Sequence, residues 1–397
     1  VQIGISTSVI QRGRSGVGQY VLSLVRALLP HAGQHDFSLF VLEEDAPLFA
    51  FAKDAMRIVP VAEKFRAAVR DIFWHQITLP RLARKLGLDV LHVPSYRRMV
   101  AHAPCAKVAT IHDLAPFRLA GKYDWRRMIY GRVVAKQLAR RQDAIIAVSD
   151  TTAADIRQFF GIAAERITTV RNGIDHARFN QTGAAEAPAE VARRWKLEQP
   201  YFLFVSRLEH PGKNHVRLIA AYEQFRRETG LQWTLALGGG DWHGVEVIRA
   251  RAAASPYAAD IRFLGFVADA DLPALYRAAG AMVYPSLFEG FGMPPTEAMA
   301  CGCPVISSTR GALGEVVGNA ARIVEPEDEN SIAAALGEFA SSAEVRAGWR
   351  ERGLEHARGF SWDEGAAKTI EIYRRAAARR GTATVNAPKK LAPQHPA

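Results

Sequence analysis

Short, predominantly apolar runs recur along this chain, and a helix-length stretch follows most of them. In the first half they cover residues 1–5, 37–42, 90–93, 106–111, 144–148 and 167–170. In the second half they cover 201–205, 234–237, 261–264, 281–284 and 305–307. Runs without strict polar alternation suit strands buried on both faces. Strands alternating with helices then imply parallel sheets with helices on either side. Two such sets predict an α/β fold of two Rossmann-like, doubly wound domains facing a cleft. In sheets of this kind ligands bind beyond the carboxyl ends of the strands.

A small, Ala-rich polar stretch at 180–190 reads as the linker between the halves. The expected organisation is an N-terminal domain at 1–185 and a C-terminal domain at 186–362. A last helix is expected at 363–380, and a disordered Pro-, Ala- and Lys-rich tail at 381–397. Within the first half, Gly16-Val17-Gly18 opens a helix. A long basic helix is expected at 125–141, and Ser149-Asp150 caps another.

Charge narrows the partners. Through residue 185 there are 26 Lys and Arg against 15 Asp and Glu, and beyond it 25 of each. The whole net charge of +11 therefore sits in the first half. A basic half suits anionic partners. Nucleic acid is disfavoured, because no reader motif is present and no aromatic stacking surface accompanies the arginines. Two segments fit an anionic bilayer instead: Phe65, Arg66, Arg70, Phe73, Trp74 and His75, and the run Arg126, Arg127, Arg132, Lys136, Arg140 and Arg141. With 49% apolar and 23% charged residues, wholesale disorder and coiled coil are excluded. No apolar run approaches the ~18–20 residues of a membrane span. The start shows no charged-then-apolar leader, and three cysteines make no zinc cage or disulfide framework. The expected location is cytoplasmic, peripheral on the inner face of a membrane.

The chemistry concentrates in two strand-to-helix loops. The first runs Ser286-Leu287-Phe288-Glu289-Gly290-Phe291-Gly292-Met293-Pro294-Pro295-Thr296-Glu297. Gly290 and Gly292 free backbone N–H groups at a positive helix end, which suits phosphate. Glu289 and Glu297 flank the turn and suit sugar hydroxyls. Together they fit a phosphorylated polyol such as a nucleotide sugar. The second loop, Ser206-Arg207-Leu208-Glu209-His210-Pro211-Gly212-Lys213-Asn214, puts an Arg fork and a Lys point charge within reach of one diphosphate. Asp269-Ala270-Asp271 matches a metal-binding spacing but precedes a helical run, so capping is the expected role and no metal is predicted.

These strings resemble the donor motifs of the retaining group 1 (family 4) glycosyltransferases, closest in look to bacterial mannosyltransferases of polysaccharide assembly. "EGFGMPPTEAMACGCPVISS" and "SRLEHPGKN" carry the resemblance, with "GRSGVGQY", "TIHDLAPF", "VSDTTAADI" and "VRNGID" in the first half. It covers about residues 1–375 and implies the GT-B architecture, with 1–185 as the acceptor-binding domain, 186–362 as the nucleotide-sugar donor domain, and the last helix crossing back to the first. Carried over, Arg207 and Lys213 bind the donor diphosphate and stabilise the leaving group. Glu289 contacts the donor sugar, helped by the N–H groups of Gly290, Phe291 and Gly292. Glu297 holds the ribose, and His112 sits beside the sugar; Asp113 next to it reads as a structural or capping residue. Gly16 and Gly18 let the amino-half loop approach the phosphates, and Phe266 and Val267 line the base pocket. The resemblance implies retaining hexosyl transfer; Arg207 and Lys213 can replace a metal, so the reaction is expected to be metal-independent, and no cofactor is expected, since the nucleotide sugar is a substrate. GDP-mannose is the expected donor, and a saccharide or lipid-linked saccharide of cell-surface polysaccharide (lipopolysaccharide) synthesis is the expected acceptor. UDP-glucose, UDP-N-acetylglucosamine and dTDP-rhamnose remain alternatives, as do a sugar-nucleotide epimerase and a phosphorylase.

Overall fold

A computed structural model describes residues 1–119, 130–198 and 200–385. Among them lie two wholly parallel sheets. The first holds β1 (Gln2–Ser6), β2 (Asp36–Leu42), β3 (Arg57–Val61), β4 (Val90–Val93), β5 (Ala106–Ile111), β6 (Ala144–Ala147) and β7 (Ile167–Thr169), in the order β3-β2-β1-β4-β5-β6-β7. The second holds β8 (Tyr201–Val205), β9 (Thr234–Gly238), β10 (Ile261–Gly265), β11 (Ala281–Tyr284), β12 (Val305–Ser307) and β13 (Arg322–Ile323), in the order β10-β9-β8-β11-β12-β13. The order reverses between β1 and β4, and again between β8 and β11. Those are the switch points where crevices open in a doubly wound sheet.

Burial explains the apolar runs. Leu39 and Val41 pack on one face of the first sheet with Val21 and Leu24 of the helix Gly16–Leu28. Phe40 and Leu42 pack on the other face with Trp74, Leu79 and Ala83. Side chains of one strand alternate between faces, so both faces must be apolar when both are covered. Strand β3 was not evident in the sequence. It is an edge strand, mostly part-exposed and interrupted by Pro60, and Pro is tolerated at such an edge.

The last helix, Trp362–Val385, packs on the helix Gly16–Leu28 and on β4, β5 and β6 of the first sheet. Its buried Tyr373 hydroxyl meets His92 Nδ1 at 2.7 Å, and His92 Nε2 meets Thr110 Oγ1 at 2.8 Å. Thr110 Oγ1 also lies 3.1 Å from the Tyr20 hydroxyl. Burial holds the His92 imidazolium down at about 3, so this ring is neutral. The helix continues through 381–385, which were expected in the tail, and 386–397 lie outside the described residues.

Two other expectations change. The stretch 180–190 is not all linker, because the helix Ala187–Trp195 begins inside it, with Pro188 in its first turn. Of the basic helix expected at 125–141, residues 125–129 lie outside the described residues. The rest is a π-helical segment, Tyr130–Ala135, followed by the α-helix Lys136–Arg140. Among the described residues no helix is long and apolar enough to cross a membrane.

Candidate active site

Lys213 and Glu289 meet across 76 residues of sequence. Lys213 Nζ donates to Glu289 Oε1 at 2.6 Å, and both side chains are largely buried. The loop after β8 and the loop after β11 bring them there; Leu287 N–H donates to the Gly212 carbonyl at 3.0 Å and ties the two loops together. The neighbouring Tyr284 hydroxyl is held well above its ordinary range by burial and by the charge of Glu289. A buried ion pair of this kind separates only if each group gains another partner, because either group left alone would be an uncompensated charge.

The glycine loop after Glu289 keeps its donors available. Among the described residues, the N–H groups of Gly290, Phe291 and Gly292 donate to no protein acceptor. Gly292 precedes the helix Met293–Ala300 with φ +97°, a region that favours glycine. Phe291 is buried edge-on against Phe360.

Glu297 stands about one turn along that helix, part-buried, with the Tyr276 hydroxyl 3.5 Å from its Oε2. Burial pushes its carboxyl up to about 7, while Arg178 acts in the opposite direction. Arg178 Nη1 lies 3.9 Å from Asp269, whose own carboxyl is raised by burial.

The amino half closes over this loop. Ser149 caps the helix starting at Asp150, accepting from Thr152 N–H at 3.0 Å, and its Oγ also donates to the Gly290 carbonyl at 2.8 Å. The N–H groups of Asp150 and Thr151, free at that helix start, donate to the Glu315 carboxylate, each at 3.1 Å. Gly290 is so close to the His112 carbonyl that a Cβ there would collide. His112 is part-buried, with Nε2 3.2 Å from the Pro94 carbonyl. A carbonyl only accepts, so Nε2 carries the proton and Nδ1 is the acceptor nitrogen. Burial lowers its pKa to about 4, so the ring is neutral near pH 7. Tyr20 packs edge-on against it at 4.6 Å. Asp113 Oδ1 accepts from Ala115 N–H at 2.9 Å, a local turn contact.

The remaining expected residues are spread around this centre. A Cβ on Gly16 would lie 3.8 Å from Met293, so this glycine faces the glycine-loop helix. Gly18 instead makes room for the Ile10 carbonyl, which a Cβ would approach to 2.5 Å. Phe266 is 54% exposed, with the Arg14 guanidinium 5.5 Å from its ring centroid across the cleft. The two border a cavity of about 290 Å³ with Gln19, Arg26, Arg178 and Asp269. Val267 is buried in the core. Arg207 does not join the Lys213–Glu289 pair; it lies against Trp242 and 3.8 Å from Glu209.

Two expectations about side chains are corrected. Asp271 stands at the N-cap of the helix Leu272–Ala278 without capping it. Its two oxygens accept a bidentate fork from Arg194, at 2.5 Å each, which outweighs a single N–H bond. Trp74 and His75 are buried rather than at the surface, with His75 Nε2 2.9 Å from Ser6 Oγ. Arg126 and Arg127 lie outside the described residues. Glu315, Arg178 and Trp242 were missed, since nothing in their local sequence marks them.

The profile of Glycosyl transferases group 1 matches residues 189–356, and that of Glycosyltransferase Family 4 matches 14–178. The chain belongs to the group 1 glycosyltransferases. Its sequence is 32% identical to the O-antigen chain mannosyltransferase B of Escherichia coli, over 72% of this chain and 74% of that protein. It is 25% identical to the serotype-specific mannosyltransferase WbdA of Escherichia coli over 91% of this chain, which spans only 46% of that longer protein. A sucrose-phosphate synthase from Thermosynechococcus elongatus has the same fold, with a TM-score of 0.76 at 20% identity over 95% of this chain and 99% of that one. For a group 1 glycosyltransferase, the two sheets and the loops between them form the GT-B architecture.

Proposed function

We propose that the protein transfers a hexose from a nucleoside-diphosphate sugar, GDP-mannose first among them, to a saccharide or lipid-linked saccharide in cell-surface polysaccharide synthesis. The observation that carries this reading is the buried Lys213–Glu289 pair set beside three unused N–H groups on the glycine loop. When the C1–O bond of a sugar nucleotide breaks, negative charge grows on the departing diphosphate. Lys213, Arg207 and the glycine-loop N–H groups stabilise it, and preorganised donors of this kind supply the largest share of such catalysis. Donor binding frees the Glu289 carboxylate from Lys213 to accept from sugar hydroxyls. Two cations in place of a metal favour a metal-independent reaction. No dedicated nucleophile is assigned, so the reading is retention by front-face attack, the departing phosphate taking the acceptor proton. His112, neutral and presenting Nδ1, accepts a hydroxyl bond rather than donating a proton. Relatives named as O-antigen mannosyltransferases favour mannose.

The basic first half supports peripheral docking on an anionic bilayer. Val69, Phe73 and Ile77 are exposed at four-residue spacing, so they share one side of a helical stretch. Arg70, Arg81 and Arg84 are exposed along the same segment, and Val133 and Val134 add apolar surface from the stretch 130–135. Both stretches cover one face of the first sheet, because Val93 and Ala109 beneath them are register partners.

A thermal-shift screen with GDP, UDP, dTDP and their sugars tests the donor. A ligand at a hundredfold excess over its Kd stabilises the fold by about 2.7 kcal/mol, so the right nucleotide stands out. GDP and GDP-mannose are expected to give the largest shift. A larger shift with another base replaces the donor, and no shift with any nucleotide sinks the proposal.

A further inference from the structure

Beyond the ends of β8 and β9 the backbone continues as a zipped ribbon. Ser206 N–H donates to Gly238, Leu208 N–H to Gly240, Trp242 N–H to Leu208 and His210 N–H to His243. Glycine makes this apposition possible, since a Cβ on Gly239 would collide with the Ser206 carbonyl and one on Gly244 would lie 2.9 Å from His210 Cβ. Leu208 and Asp241 are bridge partners, and Leu208 is fully buried. Side chains alternate along an extended chain, so the neighbours of that pair point the other way. Those neighbours are Arg207 and Trp242, and the guanidinium carbon lies 4.6 Å from the indole centroid. Trp242 is 47% exposed, an unusual position for the largest apolar side chain unless its face is used.

We propose that Trp242 is the positioning residue for Arg207. It presents an indole face that holds the guanidinium plane ready for the donor diphosphate. Stacking uses the face of the guanidinium and leaves the N–H groups at its edge for phosphate oxygens. An exposed Arg otherwise carries large rotamer freedom, which binding must remove. Glu209, 3.8 Å away, supplies attraction without fixing the plane. The indole fixes it before the ligand arrives. This inference rests on the reading of Arg207 as a diphosphate ligand.

The test is a double-mutant cycle on nucleotide affinity, measured by calorimetry with GDP, UDP and dTDP on the full chain. Trp242→Ala is expected to weaken the nucleotide that binds the wild type by roughly three- to tenfold, the range of an exposed to part-desolvated cation–π contact. In an Arg207→Ala background the same change is expected to have less than about a twofold effect, since its partner is gone. Trp242→Phe keeps a ring face and is expected to restore most of the affinity. A melting temperature within a degree or so of wild type separates positioning from loss of fold. Unchanged affinity in Trp242→Ala, or an equal loss in both backgrounds, overturns the proposal while leaving the site intact. Unchanged affinity in Arg207→Ala, or no nucleotide bound by the wild type, overturns the underlying reading as well.

Discussion

Gly290→Ala should disable the enzyme without unfolding either sheet. The added Cβ would sit 2.7 Å from Asp113 Cβ and closer still to the His112 carbonyl, whereas ordinary contacts need 3.4 Å. The obstacle is backbone, so no side-chain rotation relieves it, and the two loops must part by roughly an ångström or more. Five hydrogen bonds cross the junction there: Ser149 and Thr152 to the Gly290 carbonyl, the Thr151 hydroxyl to the Gly311 carbonyl, and the N–H groups of Asp150 and Thr151 to Glu315. At about 1 kcal/mol net each, losing two to four of them disfavours the closed arrangement by about 2–4 kcal/mol. That lowers its population by roughly 30- to 1000-fold if transfer needs closure, comparable to the ~100-fold penalty of an ångström misplacement. Donor turnover, melting temperature and radius of gyration by small-angle scattering should be measured together. The expected result is a collapse of turnover, a small change in melting temperature and a larger radius. Glu315→Ala, which cuts two of the bonds without a clash, should fall between that variant and wild type. Turnover within about threefold of wild type in Gly290→Ala, with an unchanged radius, would refute the argument that this junction sets the active geometry.

Two further outcomes follow from charge. Folding raises the Glu297 carboxyl from its ordinary 4.5 to about 7, so the folded chain holds this proton more tightly than the unfolded one. Its contribution to stability is therefore lost as pH rises from about 4.5 to 7 and is flat above. Glu297→Gln should be more stable than wild type at pH 8, by at most about 3 kcal/mol because the side chain keeps some solvent contact, and show no such gain near pH 4; a pH-independent difference in melting temperature would contradict this. On the membrane side, wild type should sediment with phosphatidylglycerol-containing vesicles and release as salt is raised, and Phe73→Glu with Ile77→Glu should abolish binding while the fold stays intact. Equal sedimentation of wild type and variant would remove that surface from the account.

How much of this was legible beforehand depends on range. Strands such as β4, β5 and β11 were readable because a strand covered on both faces is predominantly apolar along its whole length, a local property of four to six residues. Strand β3 escaped because an edge strand is half wet and here contains Pro60. The helix Ala187–Trp195 escaped because its first turn is small and polar, like a linker. Within the site, Glu289 and Lys213 were marked by their loops. Their pairing was not, since it joins positions on two different strand-to-helix loops. Asp271 looked like a cap only because its Arg194 partner is 77 residues away. Trp74 and His75 looked like surface for the same reason: the groups that bury them, Phe40 and Ser6, belong to other strands. The grip of Glu315 on the helix after Ser149 has no local signature at all.

The most direct measurement is release of nucleoside diphosphate from GDP-mannose, in the presence of a mannose-terminated acceptor, by wild type and by Lys213→Ala. Removing the cation proposed to neutralise the leaving diphosphate should lower the rate by roughly 100-fold or more. Addition of a metal chelator should leave the wild-type rate unchanged. Equal rates in wild type and Lys213→Ala, or no release from any nucleotide sugar, would contradict the assignment of this pair as the catalytic centre.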